Sequence, residues 1–382
     1  MVLLTINNKH YTLKALLQLC EQKVTSQSTP TWERDIYLFI REWLSEADYI
    51  EATTSGSTGK PKNIKLKKKW LEYSATQTCN FFNLNSQSSA LLCLPAAYIA
   101  GRMMIVRAFV SGMNLLTVEP SSNPFINHPF IQPSELAARH SANQPISQLA
   151  NHSLDFTALT PFQLHQSLQT LQNNPLVKSI IVGGGEISPA LEKEVQDLPI
   201  DIYATYGMTE TSSHIALRRV NGSERKESFT IIGHTKINID ARGCLIIENP
   251  YLFEGRLVTN DIVEVQNSSE FRWLGRFDNI INSGGVKIMP EEIEQSIANL
   301  HTGTMVISSI PDVKLGEAVV LVVESKEMTK EDKHSLLAQI KGLVHPYAQP
   351  KQIFTVAHIP KTPTGKVDRI SLKVLLKDAL HH

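Results

Sequence analysis

Apolar runs of strand length alternate with segments of helical periodicity between residues 156 and 211, and this alternation constrains the fold more than any other feature. The segments are, in order, TALTPFQLHQSLQTL, VKSIIVGGGE, SPALEKEVQDL and IDIYATYGMTE. This order of strands and helices predicts a mostly parallel sheet with helices on its faces. Because ligands of such sheets gather at the carboxyl ends of strands, we expect the glycine turn at 183–185 and the YGMTE loop at 206–210 to share one edge.

The pattern changes after residue 231 to short strands with tight turns, as in INIDARGCLIIEN. From residues 275–279 onward, a last segment of about one hundred residues has the composition of a small α+β unit. The chain is therefore predicted to be α/β. Its large N-terminal part combines mostly parallel sheets, flanked by helices, with a short-stranded β region, and its C-terminal part is small. Earlier elements are predicted as helices at 34–47 and 70–82 and strands at 49–53, 63–66 and 90–94.

Charge and cysteine content restrict the possible partners. The 382 residues include 37 Lys and Arg and 37 Asp and Glu, so the formal net charge is zero and no overall field favours nucleic acid or an anionic membrane. The cysteines are far apart and form no CxxC pair, which argues against a zinc site or a disulfide framework and favours a reducing cytoplasm. They are Cys20, Cys79, Cys93 and Cys244.

Neither the N-terminus nor any later stretch predicts a membrane segment. The apolar run that opens MVLLTINNKHYTL is too short for the core of a signal peptide. The most membrane-like stretch, residues 90–112, contains Pro95, Arg102 and Arg107, and arginines in the middle of a span are costly in lipid. We therefore expect a buried strand and helix there.

The segment TSGSTGKPK at 54–62 has the composition of a phosphate-binding loop but not that of a P-loop NTPase. The signature GxxxxGK[ST] would require glycine in place of Thr54 and a hydroxyl in place of Pro61. Pro61 also favours an extended Lys60 instead of a helix start. We expect a loop between two strands that wraps a triphosphate, with Gly56 and Gly59 as hinges. A plain flexible hairpin is the alternative that this segment alone leaves open.

Six segments in this order resemble the motifs of the acyl-adenylate-forming superfamily, which includes acyl-CoA synthetases, adenylation domains of non-ribosomal peptide synthetases and luciferases. They span some 310 residues, and six motifs in register are highly specific. The segments are TSGSTGKPK, GGGE (183–186), TYGMTET (205–211), LVTNDIVEV (257–265), GRFDNIINSGGVKIMPEEIE (275–294) and PKTPTGKVDR (360–369).

The resemblance implies an ATP site, with Thr209 at the α-phosphate and Glu210 as a ligand of Mg²⁺, a metal that prefers oxygen ligands. Asn260 stands where the family usually has glycine, which puts the local turn in doubt. The implied contacts of ATP or AMP are Thr54, Ser55, Gly56, Ser57, Thr58, Gly59, Lys60, Gly183, Gly184, Gly185, Tyr206, Gly207, Asp261 and Arg276.

The resemblance also implies that Lys366 bridges the substrate carboxylate and the α-phosphate. It divides the chain into an ATP- and acyl-binding domain at 1–275, with a shortened N-terminal subdomain, a hinge at 276–279 and a mobile domain at 280–382. Asp278 matches the hinge residue. Gly284 and Gly285 match a segment that lines the CoA tunnel after the small domain rotates.

Two segments, LPAAYIAGRMMIVRAFVSG (94–112) and YGMTETSSHIALRRVNG (206–222), most resemble the short o-succinylbenzoate CoA ligases of menaquinone biosynthesis. The substrates implied are a carboxylic acid, ATP and CoA. Another aryl or fatty acyl-CoA ligase, an adenylation enzyme that loads a carrier protein and a degenerate nucleotide-binding protein are the alternatives. The oligomeric state stays open. The predicted residues of the acyl pocket are Tyr98, Arg107, Ser212, Ser213 and His214.

Overall fold

A computed structural model describes residues 2–53, 63–126, 154–362 and 366–380 of the chain. The chain divides into two compact units, each with its own cluster of buried apolar side chains. Unit 1 comprises Met1–Ile187, Glu194–Thr235 and Asn249–Gly255, and unit 2 comprises Ser188–Lys193, Lys236–Glu248 and Arg256–His382.

Unit 1 is built on a large mixed sheet. Its helices are α1 (Leu13–Thr25), α2 (Thr31–Trp43), α3 (Lys68–Phe81), α4 (Ile99–Ser111) and α5 (Pro161–Asn173). Its strands are β1 (Leu4–Ile6), β2 (Lys9–Tyr11), β3 (Tyr49–Thr53), β4 (Asn63–Lys67), β5 (Ser89–Leu92), β6 (Asn114–Thr117), β7 (Leu154–Leu159), β8 (Val177–Val182), β9 (Asp201–Gly207), β10 (His214–Arg219) and β11 (Phe229–Ile231). A short helix, α6 (Pro189–Glu194), follows β8 in the sequence.

The strands of the large sheet in unit 1 lie in the order β11-β10-β9-β8-β7-β5-β6-β1-β2. The central six, from β9 to β1, are parallel to their neighbours. The outer pairs are antiparallel, and β3 and β4 form a separate antiparallel pair. The predicted parallel sheet is therefore confirmed.

Helix α4 explains the membrane-like hydropathy of residues 90–112. Met103, Met104, Ile105 and Val106 are all buried, so this helix is apolar on more than one face because it lies inside unit 1. Arg107 is buried with them. In the ranges that the structure describes, no helix is both long enough and apolar enough to cross a membrane.

Unit 2 contains an antiparallel ribbon and a smaller mixed sheet. The ribbon consists of β12 (Lys236–Ile239), β13 (Cys244–Glu248), β14 (Arg256–Asn267) and β15 (Glu270–Arg276). The second sheet has the order β17-β16-β19-β18, with β20 parallel to β19. Its strands are β16 (Ile281–Ser283), β17 (Val286–Ile288), β18 (Met305–Asp312), β19 (Gly316–Glu324) and β20 (Ile353–Val356), and its helices are α7 (Pro290–Ile297), α8 (Lys330–Lys341) and α9 (Arg369–Leu380).

The elements predicted at 34–94 are also found, with shifted ends. The first predicted helix begins three residues earlier, directly after Pro30, because proline favours the start of a helix and not its interior. The helix predicted over SPALEKEVQDL is only the six-residue α6. The sequence Pro133-Ser134-Glu135, which also predicts the start of a helix, lies outside the described residues.

Gly101 allows the first turn of α4 to approach the preceding loop. A Cβ atom at this position would overlap the backbone carbonyl of Pro95 and would lie 2.8 Å from the carbonyl oxygen of Leu94. Backbone atoms cannot move aside as a side chain can, so the close approach requires glycine.

We expect Gly101→Ala to lower the free energy of unfolding by about 3 kcal/mol, the upper part of the usual range for overpacking. Thermal unfolding followed by circular dichroism measures this. The control is Gly342→Ala, at a position where φ is −81° and the nearest neighbour of a Cβ would be 3.8 Å away. An equal, small effect of both substitutions would contradict the steric argument.

Candidate functional site

The carboxyl ends of β7, β8 and β9 lie at one edge of the sheet in unit 1. Leu159 is paired with Val182 and Val182 with Ala204, so the residues that follow them are neighbours. A Cβ on Gly183 would lie 2.5 Å from the Thr205 hydroxyl oxygen, which explains the glycine at the start of this turn. The expected meeting of the glycine turn with the YGMTE segment is thus confirmed.

The YGMTE segment turns sharply after β9. A Cβ on Gly207 would overlap the backbone of Ser213 and His214, so glycine allows β10 to fold back against β9. Tyr206 is buried with its ring 5.9 Å from that of Phe229. After Met208, the residues Thr209–Thr211 form a single 3₁₀ turn.

Glu210 is exposed on this turn and Thr209 is half-buried. The described residues contain no group of three His, Cys, Asp or Glu side chains that could hold a metal by themselves. One free carboxylate nevertheless suits Mg²⁺, which proteins commonly bind through one or two carboxylates together with substrate phosphates. The exposed Glu210 therefore fits the predicted role.

Asp261 and Arg276 form a cross-strand pair in unit 2. They face each other in the register of β14 and β15, and Arg276 Nη1 lies 3.1 Å from Asp261 Oδ1. Trp273 Nε1 donates to the same oxygen at 3.4 Å. Asp261 is only 6 % exposed, so its orientation is fixed by these neighbours.

Asn260 lies inside strand β14 and needs no turn, so glycine is not required there. Its amide donates to both carboxylate oxygens of Asp278, at 3.1 and 3.2 Å, and accepts from Arg242 Nη1 at 2.9 Å. Arg276 also donates to Asp278, at 2.9 Å. The sequence offered no signal that the unusual Asn260 would hold Asp278.

Lys366 lies in the same charged surroundings as the cross-strand pair. Burial lowers the pKa of its ammonium group from the ordinary 10.5, the charge of Arg276 lowers it further, and the charge of Asp261 opposes both. Its backbone N–H donates to the Thr362 hydroxyl at 3.2 Å and its carbonyl accepts from Thr362 N at 2.7 Å. Lys366 is therefore close enough to Asp261 and Arg276 for their charges to affect it, although it lies far from both in the sequence.

Gly284 and Gly285 form the two-residue turn between β16 and β17. Their φ angles are +59° and +83°, and positive φ at both positions is typical of a type I′ hairpin turn. This turn alone accounts for both glycines. Their predicted role in a CoA tunnel stays a prediction.

A second group of predicted residues meets around Arg107 in unit 1. Arg107 is 1 % exposed, and its Nη2 lies 3.3 Å from Ser213 Oγ. Ser212 and His214 are buried beside Ser213. Burial lowers the pKa of the Arg107 guanidinium to about 10, and burial together with the charge of Arg107 lowers the pKa of His214 well below 6.5.

Other predicted residues are less informative. Tyr98 is 53 % exposed at the N-cap of α4, unlike the three buried residues and the half-buried Ser213, and its role in an acyl pocket stays a prediction. The phosphate loop at 54–60 lies outside the described residues. Gly184 has φ +81°, as a glycine turn requires, and Gly185 has only ordinary contact distances to Pro161.

Comparison with known sequences identifies the family. The family described as AMP-binding enzyme matches residues 49–242, more than half of the chain. The chain belongs to this family. The resemblance that the six motifs carry is thereby confirmed.

Individual members of the AMP-binding enzyme family support the same placement. A 2-succinylbenzoate--CoA ligase of Listeria monocytogenes is 26% identical over 348 residues, and the match covers 84% of this chain and 68% of the relative. A solved structure described as an acyl-CoA synthetase (AMP-forming)/AMP-acid ligase II-like protein, from Dyadobacter fermentans, is 33% identical, with a TM-score of 0.57. The match covers 94% of this chain and 97% of the chain in that structure.

The fold also matches an o-succinylbenzoate coenzyme A synthetase from Bacillus subtilis, solved in complex with ATP and magnesium ion. The TM-score is 0.63 at 20% identity, over 85% of this chain and 69% of the other. At this identity the likeness concerns the fold alone. The predicted fold class is confirmed by these structures.

We expect substitutions of the cross-strand pair to move the pKa of Lys366 in opposite directions. Arg276→Gln removes a charge that lowers this pKa and should raise it, whereas Asp261→Asn removes a charge that raises it and should lower it. The measurement is the pH dependence of Lys366 acylation by an amine-reactive label, followed by mass spectrometry of the peptide. Shifts in the same direction would contradict the arrangement.

Proposed function

We propose that this chain is an ATP-dependent ligase that activates o-succinylbenzoate as an acyl-adenylate and then transfers the acyl group to CoA, as a step of menaquinone biosynthesis. The names of its relatives support this proposal. The observation that carries it is the buried, uncompensated charge of Arg107. Because o-succinylbenzoate has two carboxylates, one can react while the other needs a cation.

Arg107 has the properties of a site for that second carboxylate. With a pKa of about 10 it is charged at neutral pH. Within the part of the chain that the structure describes, its Nε is buried without a hydrogen-bond partner, and its Nη1 reaches only the weak acceptor Met104 Sδ at 3.5 Å. No Asp or Glu of the described residues forms an ion pair with it. An unpaired buried charge is costly, so a bound carboxylate would offset a cost that the free protein carries.

Ser212, which precedes Ser213 in the sequence, carries a second unpaired polar group. Its side chain is fully buried, its Oγ has no hydrogen-bond partner among the described residues, and its φ of +63° is unusual for serine. Strained residues and unpaired buried polar atoms concentrate at ligand sites. We therefore assign Ser212 to the same proposed acyl site as Arg107.

The proposed reaction has two half-reactions. A carboxylate oxygen of the acid attacks the α-phosphorus of ATP, the bond to the β-phosphate oxygen breaks, and pyrophosphate leaves. The deprotonated thiol of CoA then attacks the acyl carbon, and AMP leaves with the electrons of the broken bond. Both steps need positive charge where negative charge gathers. Lys366 supplies that charge in the first step.

The nucleotide roles follow the family motifs. Thr209 contacts the α-phosphate, Asp261 accepts from the ribose hydroxyls, and Arg276 holds Asp261 in place. Glu210 would hold Mg²⁺, which neutralises phosphate charge when bound. The remaining predicted contacts of the nucleotide, including the 54–60 loop, keep their predicted roles.

The proposal includes a large domain at 1–275, a hinge at 276–279 and a mobile domain at 280–382 that serves both half-reactions. Asn260 and Arg276 hold Asp278 in the arrangement described above. We place the enzyme in the cytoplasm, where ATP and CoA are available, and its four buried, free cysteines agree with a reducing compartment.

We expect o-succinylbenzoate to be the best of a panel of acids in CoA-dependent release of AMP. Benzoate and a fatty acid are the comparison substrates, because each has only one carboxylate. No preference for o-succinylbenzoate would remove this substrate but not the family. Exchange of pyrophosphate into ATP without transfer to CoA would instead favour an enzyme that loads a carrier protein.

We expect Arg107→Gln to raise the KM for o-succinylbenzoate by about 100-fold, the scale of a lost charge-assisted hydrogen bond to a buried group. The kinetics with benzoate should be unchanged, because benzoate has no second carboxylate. Steady-state kinetics with both acids measures the difference. Equal losses with both acids would indicate a purely structural Arg107.

We expect Lys366→Ala to lower the rate of adenylation by about 10²-fold or more, the effect of removing one charge-stabilising group. The variant should still transfer a supplied acyl-adenylate to CoA. The two half-reactions are measured separately, by pyrophosphate release and by consumption of the acyl-adenylate. Equal losses in both would exclude the proposed role.

A further inference from the structure

A chain of hydrogen bonds connects Arg107 to the interior of helix α3. Arg107 Nη2 lies 3.3 Å from Ser213 Oγ, and Ser213 Oγ lies 3.4 Å from His214 Nδ1. His214 Nε2 lies 3.1 Å from Thr78 Oγ1, and Thr78 Oγ1 lies 3.1 Å from the Ser74 carbonyl oxygen. All of these residues belong to unit 1.

The direction of each bond follows from the number of hydrogens available. The Thr78 hydroxyl has one hydrogen, and the Ser74 carbonyl can only accept, so Thr78 donates to Ser74. Thr78 must then accept from His214 Nε2–H. Because burial and the charge of Arg107 lower the pKa of His214, this histidine is neutral and its Nδ1 is an acceptor.

The same reasoning fixes Ser213. Its hydroxyl hydrogen is donated to His214 Nδ1, so the oxygen presents lone pairs to Arg107 Nη2. Arg107 is held from this side, and its Nε–H, which has no partner among the described residues, is left for a ligand. A positively charged His214 would donate from both nitrogens and would reverse this arrangement.

We propose that Thr78 and His214 are positioning residues that orient Arg107, through Ser213, toward the non-reacting carboxylate of the substrate. This inference rests on the proposed function, because it assumes a substrate with a second carboxylate. The proposal gives a role in substrate specificity to Thr78, a residue of α3 that lies outside all of the family motifs. The relay also keeps the cluster at a single positive charge, which suits one carboxylate and not a doubly charged group.

The first test compares Thr78→Val with wild type. Valine has nearly the same shape as threonine but no hydroxyl, so His214 Nε2–H loses its acceptor. We expect the KM for o-succinylbenzoate to rise about tenfold, the factor that corresponds to one hydrogen bond, with kcat changed less than twofold. The kinetics with benzoate should not change. Thr78→Ser should restore the wild-type KM.

Thr76→Val is the matched control. Thr76 lies on the same helix, and its hydroxyl also donates to the carbonyl four residues earlier, Glu72 O, at 2.8 Å. It does not contact the relay. We expect the KM of the Thr76→Val variant for both acids to equal that of wild type. If Thr76→Val and Thr78→Val changed KM equally, the relay would be wrong and a general effect on α3 would explain the result.

The second test does not depend on the stability of a variant. Long-range ¹H–¹⁵N spectra of the wild-type protein at neutral pH should show His214 neutral with its proton on Nε2. A proton on Nδ1, or a charged ring, would overturn the relay. His214→Gln retains a donor and an acceptor and should keep a low KM, whereas His214→Leu should raise it as Thr78→Val does.

The two proposals can fail separately. If wild type shows no preference for o-succinylbenzoate over benzoate, the proposed function fails first. If wild type has that preference and Arg107→Gln abolishes it while Thr78→Val leaves KM unchanged, only the relay is wrong. A rise in KM for both acids in Thr78→Val would also overturn the specificity role.

Discussion

Parallel hydrogen bonding between β7, β8 and β9 is the constraint on which the arrangement of unit 1 depends. Because these strands run in the same direction, all of their carboxyl ends lie at one edge, and the loops that follow them are neighbours whatever their separation in sequence. The glycine turn and the YGMTE segment meet for this reason. Gly207 then allows β10 to return along β9, so Ser213 and His214 lie close to the same edge.

Features with a local cause could be predicted from the sequence. The periodicity of residues 156–211 predicted the parallel strands, and the two arginines in residues 90–112 argued against a membrane span. The short strands β16 and β17 were not predicted, since three-residue strands carry little periodicity. The helix α9 was not predicted either. The first predicted helix begins earlier than predicted because Pro30 favours a helix start directly after it.

Long-range contacts were beyond the reach of the sequence. Nothing near Thr78 indicates that its hydroxyl meets His214, 136 residues later in the chain. Asn260 was noticed only as a departure from the family, and its bonds to Arg242 and Asp278 depend on the register of an antiparallel ribbon. Motifs identify residues that bind the ligand, whereas the side chains that orient those residues have no such pattern.

Two arginines of the described residues differ in how far their charge is compensated within the protein. Arg276 is paired with Asp261 and Asp278, so its geometry is set in the free protein. Arg107 is buried and has no ion-pair partner among the described residues, so part of its desolvation cost remains in the free protein. The proposed selectivity follows from this difference. Under the proposed function, an acid without a second charge would leave the cost in place, whereas a dicarboxylate would offset it, so charge would discriminate between acids before shape does.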